Sequence, residues 1–112
     1  MNQLNNRLQH VQESQMQNKQ ALSEHEEMEQ YFFGLNQRGA RLFDRLYDAW
    51  HEDEELKITI EQGRVELGQY ERKITYDLEN TKQELLNEKR ELSLVEENLY
   101  EMKRLMEQEE EP

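Results

Sequence analysis

The sequence predicts an all-α fold: an antiparallel two-helix hairpin with a coiled-coil-like seam and a bend near residues 50–53. Three observations lead there. Charged residues make up 36% of the 112-residue chain and hydrophobic ones only 34%, and its single proline is Pro112. A composition rich in Glu, Gln, Leu, Lys and Arg belongs to long helices and coiled coils rather than to a mixed α/β core. The apolar residues recur in alternating steps of three and four, the spacing that lines one side of a slightly underwound helix. The four glycines form two pairs, Gly34 with Gly39 and Gly63 with Gly68, mirrored about residue 51. A chain of this length is one domain at most.

Helix one is expected over about residues 3–49. Ala21, Met28, Leu35, Leu42 and Ala49 are spaced by seven, with Phe32 and Leu46 falling between them. His25 and Gly39 fill the remaining places of that stripe, and His25 reads as a polar seam residue that fixes register. Towards the N-terminus the stripe thins. Leu4, Leu8, Val11 and Leu22 hold it, Gln15 and Asn18 interrupt it, and half of residues 1–20 are Asn or Gln.

The bend is expected at Trp50, His51, Glu52 and Asp53, where five polar residues follow the only tryptophan. The Asp53 carboxylate is suited to accept the free amide protons of a new first turn. Glu54 and Glu55 then stand where the helix dipole favours negative charge. Helix two follows over about 54–108, its stripe running through Ile60, Gly63, Leu67, Tyr70, Ile74 and Leu78. It continues through Thr81, Leu85, Glu88, Leu92, Val95, Leu99, Met102 and Met106. No sustained period-two alternation supports a strand.

The glycines favour the hairpin over one long rod. Each costs roughly 1 kcal/mol inside a helix relative to alanine. Folding at the midpoint sets Gly39 opposite Leu67 and Gly63 opposite Leu42, small against large, so all four glycines are expected at close helix packing.

Composition also narrows function. No stretch approaches the roughly 18 apolar residues of a membrane span. The start "MNQLNNRLQH" lacks a basic region followed by an apolar one, so a cytoplasmic protein is expected, with any export by a signal-peptide-independent route. The absence of cysteine excludes disulfides and thiolate metal sites. Net charge is −12, of which residues 1–50 contribute −2 and residues 51–112 contribute −10. Such a field repels phosphate backbones and anionic lipid, which argues against nucleic acid and membrane partners.

Catalysis finds little support. His10, His25 and His51 are far apart, and Ser14, Ser23 and Ser93 sit at ordinary helical positions without a base at recognisable spacing. Neither His25 near Glu29 nor His51 before its run of acids supplies the converging ligands a metal site needs. No catalytic residue, metal or cofactor is expected.

Binding is better supported. Two helices of nearly fifty residues make a rod of about 70 Å, and the chain carries apolar residues beyond one seam. Tyr31, Phe33, Phe43 and Tyr47 lie on helix one; Ile58, Val65, Leu86 and Tyr100 lie on helix two at separations that are multiples of seven. That spacing keeps the latter four on one flank, which reads either as the edge of a wide seam with snorkelling aromatics or, the favoured reading, as a docking surface for a third and fourth helix.

A cysteine-free hairpin of this size with its tryptophan at the bend resembles the WXG-type helical-hairpin proteins of type VII secretion. The residues that carry the likeness are "AWHEDEEL" and the preceding "RLFDRLYDAW". It is most similar to the α-helical (Lap-type) partners of LXG toxins. Two departures stand out: Glu52 occupies the place of the motif's glycine, and Arg104 follows Tyr100 where an export motif would carry an acid. The resemblance implies a non-enzymatic adaptor that binds the helical N-terminal domain of an LXG-type toxin and helps deliver it to the secretion system. A second small helical protein is a further candidate partner. On that reading the binding residues are Phe32, Phe33, Phe43, Leu46, Tyr47 and Trp50 near the bend, with Ile58, Val65, Leu86 and Tyr100 on the flank. The alternative is a structural coiled coil that associates with itself as a scaffold.

Overall fold

A computed structural model of the chain describes residues 2–110. Its elements are two α-helices, α1 (Asn2–Trp50) and α2 (Glu54–Glu110), joined by residues 51–53. The helices pair antiparallel: Asn18 meets Leu85, and His25, seven residues on, meets Leu78, seven residues back. The fold is the all-α hairpin that composition and periodicity predict.

Both sides of the corner are capped. At the end of α1 the backbone N–H of His51 donates to the Tyr47 carbonyl at 2.9 Å. The His51 ring turns back on the same turn, with Nδ1 3.0 Å from the Tyr47 oxygen and 3.3 Å from that of Asp48. The Tyr47 carbonyl already accepts from the His51 backbone, and in the tautomer that carries its proton on Nδ1 the imidazole adds a side-chain donor to this last turn. The ring also stacks on Tyr47, with centroids 5.3 Å apart. At the start of α2, Asp53 Oδ1 accepts the Leu56 N–H at 3.2 Å, as the sequence leads one to expect of a cap. No described residue has a positive φ. The corner therefore needs no left-handed residue, and Glu52 is accommodated there without strain.

The chain divides into two compact units. The terminal unit combines residues 2–24 and 81–110; the bend unit is His25–Asn80. In the terminal unit Leu4, Leu8, Val11 and Leu99 are buried together, with Leu92 and Met106 packed against them. Asn18 is buried there too, at 3% exposure, and its amide Nδ2 donates to the Leu85 carbonyl at 2.9 Å and to Glu88 Oε1 at 3.3 Å. A buried amide is tolerated because its hydrogens find acceptors on the opposing helix.

In the bend unit Ile60 is the buried apolar residue, and small residues face large ones around it. A Cβ added to Gly39 would lie 3.1 Å from Leu67 Cδ2, the pairing expected from the mirrored glycines. One added to Gly63 would lie 3.0 Å from Phe43 Cε1, so the neighbour of Gly63 is Phe43 and not Leu42. At Gly34 and Gly68 nothing lies within 4 Å of such an atom, so the close packing expected there does not occur within the hairpin.

Candidate protein-docking surface

The side of α1 that turns inward decides which apolar residues remain free. Residues 4, 8, 11, 15, 18, 22, 25, 29, 32, 36, 39, 43 and 46 are all buried or half-buried, and their steps alternate four and three. Met28, Leu35 and Leu42, expected in the seam, stand one position before this line and are exposed. The sequence offers two neighbouring lines, and the hairpin takes the one that carries Glu29, Asn36 and Phe43. Two helices alone bury a narrow stripe, so the adjacent line stays in solvent.

On α2 the expected seam residues Ile60, Gly63, Leu67, Leu78, Leu85, Leu92, Leu99 and Met106 are buried or half-buried. Tyr70, Ile74, Thr81, Glu88, Val95 and Met102 are exposed instead. Glu71, Lys82, Glu96 and Lys103 are half-buried in their stead. Long charged side chains achieve this by laying their methylene stems along apolar surface while the charged ends stay wet.

The residues proposed to bind a partner fall into two groups. Phe32, Phe43 and Leu46 belong to the seam line of α1 and are half-buried, with Phe43 set against Gly63. Tyr47 is half-buried at the corner, stacked on His51 and with the Arg64 guanidinium 6.0 Å from its ring centroid. Arg64 also donates to Asp44 Oδ1 at 3.1 Å, so the corner end of the hairpin is held from both helices. Leu86 is half-buried in the terminal unit.

Phe33, Ile58 and Val65 are exposed, as are Trp50 and Tyr100. Trp50 is the last residue of α1 and is 52% exposed, so it does not close the end of the seam. Tyr100 accepts a hydrogen bond on its hydroxyl from Gln12 Nε2 at 3.2 Å, which ties its ring to α1 while the side chain stays exposed. One turn further on, Arg104 pairs with Glu101. That guanidinium holds the Glu101 carboxyl below the usual carboxylate range, while Arg104 itself is raised.

The bend unit also holds exposed apolar residues outside the expected flank, among them Met28, Leu35, Leu42, Tyr70 and Tyr76. For Met28, Leu35 and Leu42 the signal in the sequence is their seven-residue spacing, which marks a seam and an exposed stripe alike. Phe33 borders a shallow groove of about 250 Å³ shared with Glu29, Asn36, Thr75 and Leu78. What remains is a set of apolar contact points rimmed by charge. Among the described residues no helix is long and apolar enough to cross a membrane, and no three metal-ligating side chains converge.

A family model described as "Protein of unknown function (DUF3958)" matches residues 1–106, and the chain belongs to that family. No curated protein and no solved structure matches it.

Proposed function

We propose that this member of the DUF3958 family is a non-enzymatic adaptor. It lays its exposed apolar flanks along the helical N-terminal domain of an LXG-type toxin in the cytoplasm and helps deliver that toxin to a type VII secretion system. The observation that carries this reading is where the free apolar surface lies. Of the eighteen large apolar side chains that stand exposed among the described residues, twelve belong to the bend unit. Clustered apolar surface of that kind marks an interface, and a helical partner meets it as a helix laid in a groove. Charge favours a different partner over a second copy, because two chains of net charge −12 repel one another.

Co-expression tests the reading. The full chain produced with the helical domain of an LXG toxin from the same host is expected to co-purify with it. Phe33→Glu and Val65→Glu are expected to abolish that complex while leaving the helical circular dichroism unchanged, since both side chains are exposed. A wild-type chain that ignores the toxin domain and runs as a stable homodimer would overturn the adaptor in favour of the scaffold.

A further inference from the structure

In the bend unit α1 carries a second line with the same period as the one that turns inward. Met28, Tyr31, Leu35, Leu42 and Ala49 on this line are exposed. Arg38 and Arg45, exposed as well, fill its two remaining places. From Met28 to Ala49 the steps alternate three and four without a break, the pattern of a helix-packing seam. Each member stands one residue before the inward line, so about 100° of rotation separates the two lines. Phe33 stands one residue after the inward line and therefore on the other side of the hairpin seam. The hairpin occupies one seam of α1 and leaves the other open.

The arginines define what can cover it. Residues 1–50 hold five basic side chains, and three of them, Arg38, Arg41 and Arg45, fall between Leu35 and Leu46. None of these three takes part in a hydrogen bond or ion pair among the described residues, whereas Arg64 on α2 is held by Asp44. Of the acids on the same stretch of α1, Glu29 faces His25 on the inward line, Asp44 belongs to Arg64, and Asp48 lies beyond Arg45. A guanidinium stays charged and has donors only. A helix laid over the stripe strips water from Arg38 and Arg45, which is favourable only where acceptors replace it. A purely apolar helix leaves both unpaired, and a basic one repels them. The line itself holds no acid, so a second copy laid stripe to stripe offers them no carboxylate from its own line.

We propose, resting on the adaptor reading above, that this stripe seats one acidic amphipathic helix of the partner. That helix is apolar at the same three-and-four spacing and sets two carboxylates, seven residues apart, against Arg38 and Arg45. Seven residues of helix rise about 10.5 Å, so one straight helix presents both carboxylates in register with the two arginines. Each guanidinium can take its carboxylate through two parallel N–H bonds, which gives the docked helix a fixed position along α1.

Titration calorimetry of the full chain with the helical N-terminal domain of an LXG toxin from the same host tests the assignment. Arg38→Glu combined with Arg45→Glu is expected to weaken binding at least roughly tenfold, because a carboxylate then faces a carboxylate in the interface. Arg7→Glu combined with Lys19→Glu changes net charge equally at exposed positions of the terminal unit. At ~0.15 M salt that pair is expected to stay within about twofold of the wild type, since distant surface charges are screened. Leu42→Ser is expected to weaken binding with the circular dichroism unchanged, its side chain being 56% exposed. The methyl signal of Met28 is expected to shift in the wild-type complex. Equal affinities for the two double variants, or an unmoved Met28 signal, would overturn the stripe as the seat and leave the adaptor reading standing. A wild type that does not bind the toxin domain would overturn both. A homodimer that Arg38→Glu with Arg45→Glu dissociates would give the stripe to a second copy and overturn the acidic partner helix.

Discussion

The two units have the same helical architecture and nearly the same length of chain, yet they are built on different packing. In the terminal unit aliphatic side chains meet each other: Leu4, Leu8, Val11 and Leu99 form a small closed cluster. In the bend unit large side chains meet glycines, with Leu67 on Gly39 and Phe43 on Gly63, and Ile60 is its buried apolar residue. The consequence appears on the outside. A seam closed by aliphatic contacts uses up much of the apolar surface its helices carry. A seam closed by small-against-large contacts brings the helices together and leaves Met28, Phe33, Leu35, Leu42 and Val65 in solvent. The terminal unit carries the closed aliphatic cluster, and the bend unit carries most of the exposed large apolar side chains.

The largest expected break in this comparison is Leu99→Ala. Removing a buried leucine from the terminal cluster is expected to lower stability by about 2–4 kcal/mol in chemical denaturation. Val65→Ala on the exposed flank of the bend unit is expected to leave the midpoint within about 0.5 kcal/mol. Equal losses at the two sites would mean that the flank packs within the hairpin.

The glycines sharpen the contrast with effects of opposite direction. Gly68→Ala has open space for its methyl group and is expected to stabilise α2 by up to about 1 kcal/mol, the helix-propensity difference. Gly63→Ala would set a methyl group 3.0 Å from the Phe43 ring, so it is expected to fall well short of that gain. Thermal unfolding of the two variants side by side is the measurement, and equal shifts would remove the case for close approach at Gly63.

The smallest effect is expected at the exposed Glu101–Arg104 pair of the terminal unit. The lowered Glu101 means that any contribution exists above the usual carboxylate range and is lost as pH falls through the lowered value. Because both groups are exposed and screened, Glu101→Gln is expected to leave the unfolding midpoint at neutral pH unchanged within error.

Much of the architecture could be read from the residues. The corner was legible in Asp53 and in the mirrored glycines, and the terminal core in the spacing of Leu4, Leu8 and Val11 and of Leu92, Leu99 and Met106. The inward line of the bend unit was not. There apolar residues occupy two adjacent lines of α1, and polar Glu29 and Asn36 sit on the one that turns inward. A periodicity reading follows hydrophobicity and so chooses Met28, Leu35 and Leu42. The structure chooses the line on which Phe43 meets Gly63 and His25 meets the Leu78 carbonyl. The exposure of Phe33, Ile58 and Val65 was legible, since it needs no knowledge of the seam's exact position. Phe32, Phe43 and Leu46 stand half-buried on the seam line, because hydrophobicity alone cannot tell an inward position from a free one.

The corner at residues 51–53 turns without a left-handed residue, held by His51 on one side and Asp53 on the other. The turn thus rests on side chains and not on a special backbone conformation, a helix-ending imidazole followed by a helix-starting carboxylate, so position 52 is free to vary while positions 51 and 53 set how firmly the chain reverses.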